Sequence, residues 1–176
     1  MMQRGFAGSW TAVATGCLAT ALVWTGLSGC DDSDDDPALA AAKAEAVAQV
    51  HAAAVALGED LPRLATEADR IAYVRAFIDP VRFYADGSGY FYVYDTNCVN
   101  IAHATQKNLV GQNLYSYTDT RGLFVIRELA AAAQDGGGFV EYYWQRPGET
   151  TESRKIGYVE PIPATGYFIG SGVYLE

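Results

Sequence analysis

Apolar residues in the first half of the chain recur at the spacing of an α-helix. Four of them, within the alanine-rich segment 38–57, fall at i, i+3, i+7 and i+10: Val47, Val50, Ala54 and Leu57. Residues at this spacing share one face of a helix, so the pattern predicts a long amphipathic helix whose apolar stripe packs on a core.

A second helix is predicted after a break. We expect Gly58 and Pro62 to interrupt the first helix. Thr66, with Asp69 three residues later, imitates a capping box, and a second apolar stripe between residues 71 and 78 ends before Pro80. Stripes of this kind indicate core packing rather than a cofactor or partner site.

The hydrophobic period changes from helical to alternating after Arg82. Residues 90–94 are aromatic or β-branched and lie between two turn-rich segments, which predicts a strand, and residues 98–103 are its expected hairpin partner. In a strand, alternate side chains share a face, so the tyrosines of this segment should line one side and its phenylalanine and valine the other.

The second half of the chain predicts one helix and three more strands. The helix is expected over residues 120–134, with Asp119 as its N-cap and a run of glycines as its stop. The strands are expected at 139–145, 155–160 and 167–175, and the proline-rich segment 160–166 should prevent regular pairing. This order predicts an α+β domain in which an antiparallel five-stranded sheet lays one face on helices.

The N-terminal segment has the features of a targeting signal. Residues 1–4 are short and basic and residues 6–27 are apolar or small, as in a secretory signal, although a stretch of this length can also span a bilayer. The ending Leu27-Ser28-Gly29-Cys30 resembles the bacterial lipobox, whose cysteine receives diacylglycerol before cleavage. We therefore predict a signal peptide over 1–29, lipid on Cys30, an aspartate-rich tether over 30–37 and a single domain over 38–176.

The net charge limits the classes of binding partner, and the cysteine content limits the possible disulfides. A formal net charge of −9 without a basic stripe argues against nucleic acid, because phosphate binding needs clustered Lys and Arg. Cys98 is the only cysteine within the predicted domain, so no internal disulfide is expected. Its thiol is interpreted as a small buried hydrophobe at a strand start, with a reactive thiol as the alternative.

An ordered series of short motifs resembles the single Cache domains, the extracytoplasmic PAS-like sensor modules of bacterial chemoreceptors and histidine kinases. The pieces are Arg82, Gly89-Tyr90-Phe91-Tyr92-Val93-Tyr94-Asp95, Ile101-Ala102-His103, Leu109-Val110-Gly111-Gln112-Asn113-Leu114, Asp119 with Gly122, Gly137-Gly138-Phe139-Val140-Glu141-Tyr142, Lys155 with Tyr158-Val159, and Gly170-Ser171-Gly172-Val173-Tyr174. The family usually has proline after the histidine, where this chain has Ala104. The resemblance implies a Cache fold with a long N-terminal helix on the sheet.

The resemblance also implies a function. Together with the lipobox-like ending, it predicts a membrane-tethered sensor outside the cytoplasm, periplasmic in a Gram-negative cell, which binds a small organic anion. Family members usually continue through a membrane helix into a signalling domain, whereas this sequence ends at Glu176, so no signalling domain is expected in the same polypeptide. We therefore expect it to act through a protein partner, a receptor or a transporter.

Six residues are candidates for holding the ligand: Arg82, Tyr90, Tyr92, Tyr94, His103 and Lys155. Tyrosines offer an apolar body and a hydroxyl, which suits a pocket, although a tyrosine ladder packed under a loop is an equal alternative. Family members that bind small carboxylates direct attention to the two cations, whose other interpretation is an ion pair with Asp119 or Glu141. His103 either donates to a ligand oxygen or caps a strand end.

No enzyme signature is visible. The chain lacks paired-histidine metal spacing, a Gly-x-Ser-x-Gly turn and a phosphate-cradling loop, so neither catalysis nor a metal or cofactor is expected. The main alternative is a Cache-fold envelope adaptor lipoprotein without a working pocket. An enzyme or haem protein would rest only on His103, Cys98 and the tyrosines. A pocket closed by packed side chains would favour the adaptor, and an open one rimmed by Arg82 or Lys155 would favour the binder.

Overall fold

The structure is a computed structural model that describes residues 36–175. Three α-helices and five β-strands occur in the order α1 (Pro37–Asp60), α2 (Glu67–Ile78), β1 (Tyr92–Asp95), β2 (Asn100–His103), α3 (Val125–Gln134), β3 (Gly138–Gln145), β4 (Glu152–Pro161) and β5 (Tyr167–Tyr174). All strand pairs are antiparallel, and the sheet order is β2-β1-β5-β4-β3. The prediction of an α+β domain with a long N-terminal helix and a five-stranded antiparallel sheet is confirmed.

Both N-terminal helices are capped, and the cap of α2 is the one predicted. The Asp36 carboxylate accepts from the Ala38 N–H at the start of α1, and Thr66 Oγ1 accepts from the Asp69 N–H at the start of α2. The predicted interruption at Gly58 is wrong, because α1 continues to Asp60. A Cβ at Gly58 would lie 2.8 Å from the Pro163 ring, so its role is to let the hairpin after β4 approach the helix.

The third helix begins later than predicted. It starts at Val125 rather than at residue 120, and Asp119 is not its N-cap. The Asp119 carboxylate instead accepts hydrogen bonds from the backbone N–H groups of Arg121, Leu123 and Tyr143. It therefore ties the turn before α3 to strand β3.

The β4–β5 hairpin is longer than the sequence indicates. Pairing continues through Glu160 with Ile169 and Pro161 with Phe168, so the expected break at Glu160 is wrong. Proline is tolerated here because it closes the strand, where a missing N–H disrupts no further ladder.

Helices cover both faces of the sheet. Helix α1 packs on β4 and β5, where His51 contacts Glu160. Lys43 of the same helix lies over the ring of Phe139 in β3. Helix α3 packs on β3 and β4 on the other face, because side chains alternate along a strand. Residues 155, 157 and 159 of β4 point to the α3 face, which contains the candidate site.

Candidate functional site

Cross-strand pairing brings the predicted residues together. On the α3 face, Tyr92 of β1 is paired with His103 of β2, and Lys155 of β4 is paired with Tyr142 of β3 and Tyr174 of β5. Directly opposed residues on one face of an antiparallel pair have neighbouring side chains. Residues from all five strands therefore contribute to one buried cluster.

Glycines in the middle of the sheet make room for the aromatic rings. A Cβ at Gly157 would lie 2.6 Å from Cε1 of Tyr142, and one at Gly170 would lie 2.6 Å from Cε2 of Tyr92. The rings lie against the backbone where another residue would carry a side chain. The backbone of β4 and β5 therefore forms the floor of the site, and tyrosine rings fill the space above it.

Lys155 is the most unusual residue in the cluster. Its side chain is 1% exposed, yet no carboxylate in residues 36–175 forms an ion pair with it. Its ammonium donates one hydrogen bond, 3.0 Å long, to the Tyr90 hydroxyl and lies over the rings of Tyr90 and Tyr174 at 4.2 and 4.5 Å. Burial lowers the pKa of Lys155 to about 7. The cluster thus holds a desolvated cation that, within residues 36–175, faces aromatic rings instead of a carboxylate.

Lys155 begins a directed chain of hydrogen bonds. Tyr174 donates its only hydroxyl proton to the Gln145 carbonyl, at 2.6 Å, so at the 3.0 Å contact between Tyr90 and Tyr174 the proton must come from Tyr90. Tyr90 in turn accepts from Lys155. Each hydroxyl turns its oxygen towards the preceding donor, so the chain of hydrogen bonds stabilises the ammonium without supplying a counter-charge.

His103 is neutral and has a defined tautomer. Its Nδ1 accepts a 3.0 Å hydrogen bond from the Gln106 backbone N–H, so the ring proton must be on Nε2. Burial first, and then the charges of Lys155, Lys107 and Arg82, lower its pKa to about 3. The imidazole therefore offers an N–H donor within an electropositive environment.

The space between these side chains is small. The cavity has a volume of about 10 Å³, which accommodates about one water molecule. Its lining combines the sheet with α3: Tyr92, Tyr94, His103, Val125, Ile126, Leu129, Tyr142 and Trp144. In this conformation the site is closed by packed side chains.

Arg82 lies outside the cluster. Its guanidinium donates to the carbonyls of Asp79, Val81 and Ala104 and so joins the end of α2 to the segment after β2. It lines a separate surface cleft of about 400 Å³. Five of the six predicted ligand residues therefore lie together in the cluster. The sixth, Arg82, is hydrogen-bonded to backbone carbonyls outside it.

Gln106 forms the wall between this outer cleft and the buried cluster. It lines the cleft, its Oε1 accepts from Trp144 Nε1 at 2.8 Å, and its Nε2 donates to Gln145 Oε1 at 3.0 Å. Its backbone N–H holds His103. Gln106 therefore contacts both the outer cleft and Trp144, a side chain that lines the cavity.

Sequence reasoning missed several members of the site. Tyr142 and Trp144 alternate on β3 as Tyr92 and Tyr94 do on β1, so the same period-two argument would have found them. Gln106 carries no pattern that singles it out. The ion pairs considered for the two cations are not formed, since Glu141 pairs with Arg154.

The remaining sequence predictions concern residues outside the buried cluster. Cys98 is a buried free thiol, as interpreted. Cys30 and the signal-like segment before it lie outside the described residues. Within residues 36–175, no three His, Cys, Asp or Glu side chains are grouped to hold a metal ion, and no helix is long and apolar enough to cross a bilayer.

Comparison with known proteins places this geometry in context. The model of the Cache domain family matches residues 41–176. The chain is 40% identical over 88 residues to the sensor histidine kinase MctS of Rhizobium johnstonii, covering 50% of this chain and 19% of that protein. It is 32% identical over 117 residues to the methyl-accepting chemotaxis protein McpP of Pseudomonas putida, covering 66% and 20%. The matched segments are thus about a fifth of these relatives' length.

Solved structures share the fold. The periplasmic sensor domain of a chemotaxis protein superposes with a TM-score of 0.70 at 30% identity, covering 78% of this chain and 98% of that one. A Cache chemosensory domain, described for its recognition of carboxylic acid, gives a TM-score of 0.70 at 26% identity, covering 78% and 95%.

Proposed function

The chain belongs to the Cache domain family, and from this premise we propose that it is an extracytoplasmic sensor that binds a small carboxylate at Lys155. Sensor domains of chemoreceptors and histidine kinases are its relatives. The observation that supports a carboxylate ligand is the buried ammonium of Lys155. It has a single hydrogen-bond partner and no ion pair within the described residues.

The energetics favour an anion. A buried charge without a counter-ion costs several kcal/mol, and much of that cost is recovered when an opposite charge arrives. The donors already present, the Lys155 ammonium and the Nε2–H of His103, suit the two oxygens of a carboxylate. Neutral His103, and the lack of an acid paired with Lys155 among residues 36–175, avoid competition with the ligand's own charge.

Entry requires the site to open. A cavity of about 10 Å³ does not admit a carboxylic acid in the present packing. We propose that ligand enters from the cleft beside Arg82 when Gln106 releases Trp144 and Gln145, and that the small space restricts the ligand to a short acid. Binding without chemical conversion is proposed.

The tether and the partner are further parts of the proposal. The lipobox-like Leu27-Ser28-Gly29-Cys30 supports lipid attachment at Cys30 and a location at the membrane surface. Sensing in a tethered domain needs a second protein, so we propose that a receptor or transporter reads the bound state.

The closed cavity is the observation that favours a second candidate, the envelope adaptor with a degenerate pocket. A degenerate pocket explains the tight packing. It leaves the buried, unpaired Lys155 without a purpose, since a methionine or leucine there would pack without the charge penalty.

Titration calorimetry and thermal shift on the chain without residues 1–30 distinguish the carboxylate sensor from the envelope adaptor. Acetate, propionate and pyruvate are compared with acetamide and propionamide, which match the first two acids in shape but carry no charge. A sensor binds at least one acid and neither amide, and a ligand at a hundred times its dissociation constant stabilises the fold by about 2.7 kcal/mol. If a broad set of short acids gives no binding, the adaptor is favoured.

A further inference from the structure

Two buried polar side chains at the start of the sheet have no hydrogen-bond partner. Tyr94 is 1% exposed and Asn100 is fully buried. The Tyr94 hydroxyl and both Oδ1 and Nδ2 of Asn100 are unpartnered among the residues that the structure describes. Buried polar groups are almost always paired, so three such atoms in adjacent residues require an explanation.

The three atoms are close together. Tyr94 of β1 and Asn100 of β2 are partners across the strand pair. Burial raises the pKa of Tyr94, and the nearby Asn100 side chain acts in the opposite direction. The Tyr94 hydroxyl and the Asn100 side chain are therefore close neighbours, although their contact does not reach hydrogen-bond geometry.

Tyr94 lines the small cavity, and the Lys155 cation lies near the same part of the sheet. The Lys155 ammonium is 5.8 Å from the Tyr92 ring centroid, and the centroids of the Tyr92 and Tyr94 rings are 6.0 Å apart. Helix α3 adds an apolar lining of Val125, Ile126 and Leu129. The cation and the unused hydrogen-bonding group of Tyr94 therefore both lie close to the Tyr92 ring.

We propose that Tyr94 and Asn100 form a distal polar subsite that recognises a hydroxyl or carbonyl oxygen on the ligand, at the end away from its carboxylate. The inference rests on the proposed function, because the carboxylate at Lys155 sets the ligand's orientation. A hydroxyl group both donates and accepts, as do the Tyr94 hydroxyl and the Asn100 amide, whereas a methyl group would leave all three atoms unpaired. The ligand class is a short acid with a terminal hydroxyl or oxo group.

Pairs of acids that differ only at the far end test the subsite. Glycolate is compared with propionate, and 3-hydroxypropionate with butyrate, because each pair replaces a terminal methyl by a hydroxyl. Affinities are measured by calorimetry on the chain without residues 1–30 for the parent protein, Tyr94→Phe and Asn100→Leu. Tyr158→Phe is the matched control, since its hydroxyl bonds Glu160 on the opposite face of the sheet.

We expect the parent protein to bind the hydroxy acid of at least one pair about two- to ten-fold more tightly than its methyl counterpart, as for one neutral hydrogen bond. Tyr94→Phe and Asn100→Leu should each remove this preference and leave the methyl acid's affinity unchanged or improved. Tyr158→Phe should keep it. Neither pocket variant should lower the urea midpoint, because the removed groups have no partner in the unliganded fold.

Any of the following results would overturn the subsite. Equal affinity within both pairs in the parent protein removes it while leaving carboxylate binding intact. Equal losses for both members of a pair in Tyr94→Phe, or a lowered urea midpoint in that variant, would make the hydroxyl a structural group. If no acid binds the parent protein at all, the proposed function fails first and the subsite with it; an effect confined to Asn100→Leu would show that the Tyr94 hydroxyl has no part in recognition.

Discussion

Replacing Lys155 by methionine is the sharpest test of the site. Methionine keeps most of the apolar stem and removes the charge. A pKa lowered from 10.5 to about 7, at about 1.4 kcal/mol per unit, corresponds to roughly 5 kcal/mol by which burial disfavours the charged form. Part of this cost is recovered in the variant, so we expect Lys155→Met to raise the free energy of unfolding by about 1–4 kcal/mol at neutral pH.

The change of folding stability with pH gives a second, independent test of the lowered pKa of Lys155. The folded-state pKa of Lys155 lies below its unfolded value, so between about pH 7 and 10.5 the unfolded chain binds more protons and the stability of the parent protein rises with pH. From about pH 7 to 8.5 the gain is about 1.5 kcal/mol, and Lys155→Met should lack it. This window stays above the range where His103 titrates and below that of Cys98, whose pKa is raised.

The assays are urea melts at both pH values and calorimetric titration with acetate and propionate. Loss of a charge-assisted contact should weaken acid binding about ten- to a hundred-fold. Lys43→Met is the matched control, because Lys43 lies over Phe139 on the opposite face of the sheet. A loss of several kcal/mol in Lys155→Met with unchanged affinity would refute the reasoning and make Lys155 part of the scaffold.

Four further predictions follow from the geometry. Acid binding at about pH 8 should take up a proton, since an anion raises the pKa of Lys155, and calorimetry in two buffers of different ionisation enthalpy detects it. Arg82→Met should cost about 1–3 kcal/mol of stability by freeing backbone carbonyls, with less effect on affinity than Lys155→Met; the reverse order would place its charge in the ligand site. Gly170→Ala should destabilise by about 1–3 kcal/mol through the Tyr92 ring, against little change in Gly166→Ala, where the added Cβ meets nothing; equal melts of the two variants would contradict this. Cys30→Ala should abolish acyl labelling, and labelling that persists would exclude lipid attachment there.

Local patterns were sufficient for the elements that follow a simple period. The alternation of residues 90–94 placed Tyr92 and Tyr94 on one face, and the Thr66 cap identified the start of α2. The same reasoning failed at Gly58 and at Asp119. Gly58 is inside a helix because Pro163, more than a hundred residues later, packs against it, and Asp119 bonds Tyr143 of β3 instead of capping the next helix. Neither partner is adjacent in sequence, so no local rule reaches it.

The sequence by itself determined an α+β order of elements, an aromatic strand, a histidine in the next strand, a lysine in a later strand, and the family resemblance that linked them. Tertiary structure decided which of these share a site. Lys155 meets Tyr174 and Tyr142 only through sheet register, and Arg82 is diverted to carbonyls that the fold places beside it. The burial that lowers the pKa of Lys155, and the absence of an acid beside it within the described residues, are properties of packing in three dimensions. Charge and type are written in the sequence, whereas desolvation depends on which distant segments exclude water from the group.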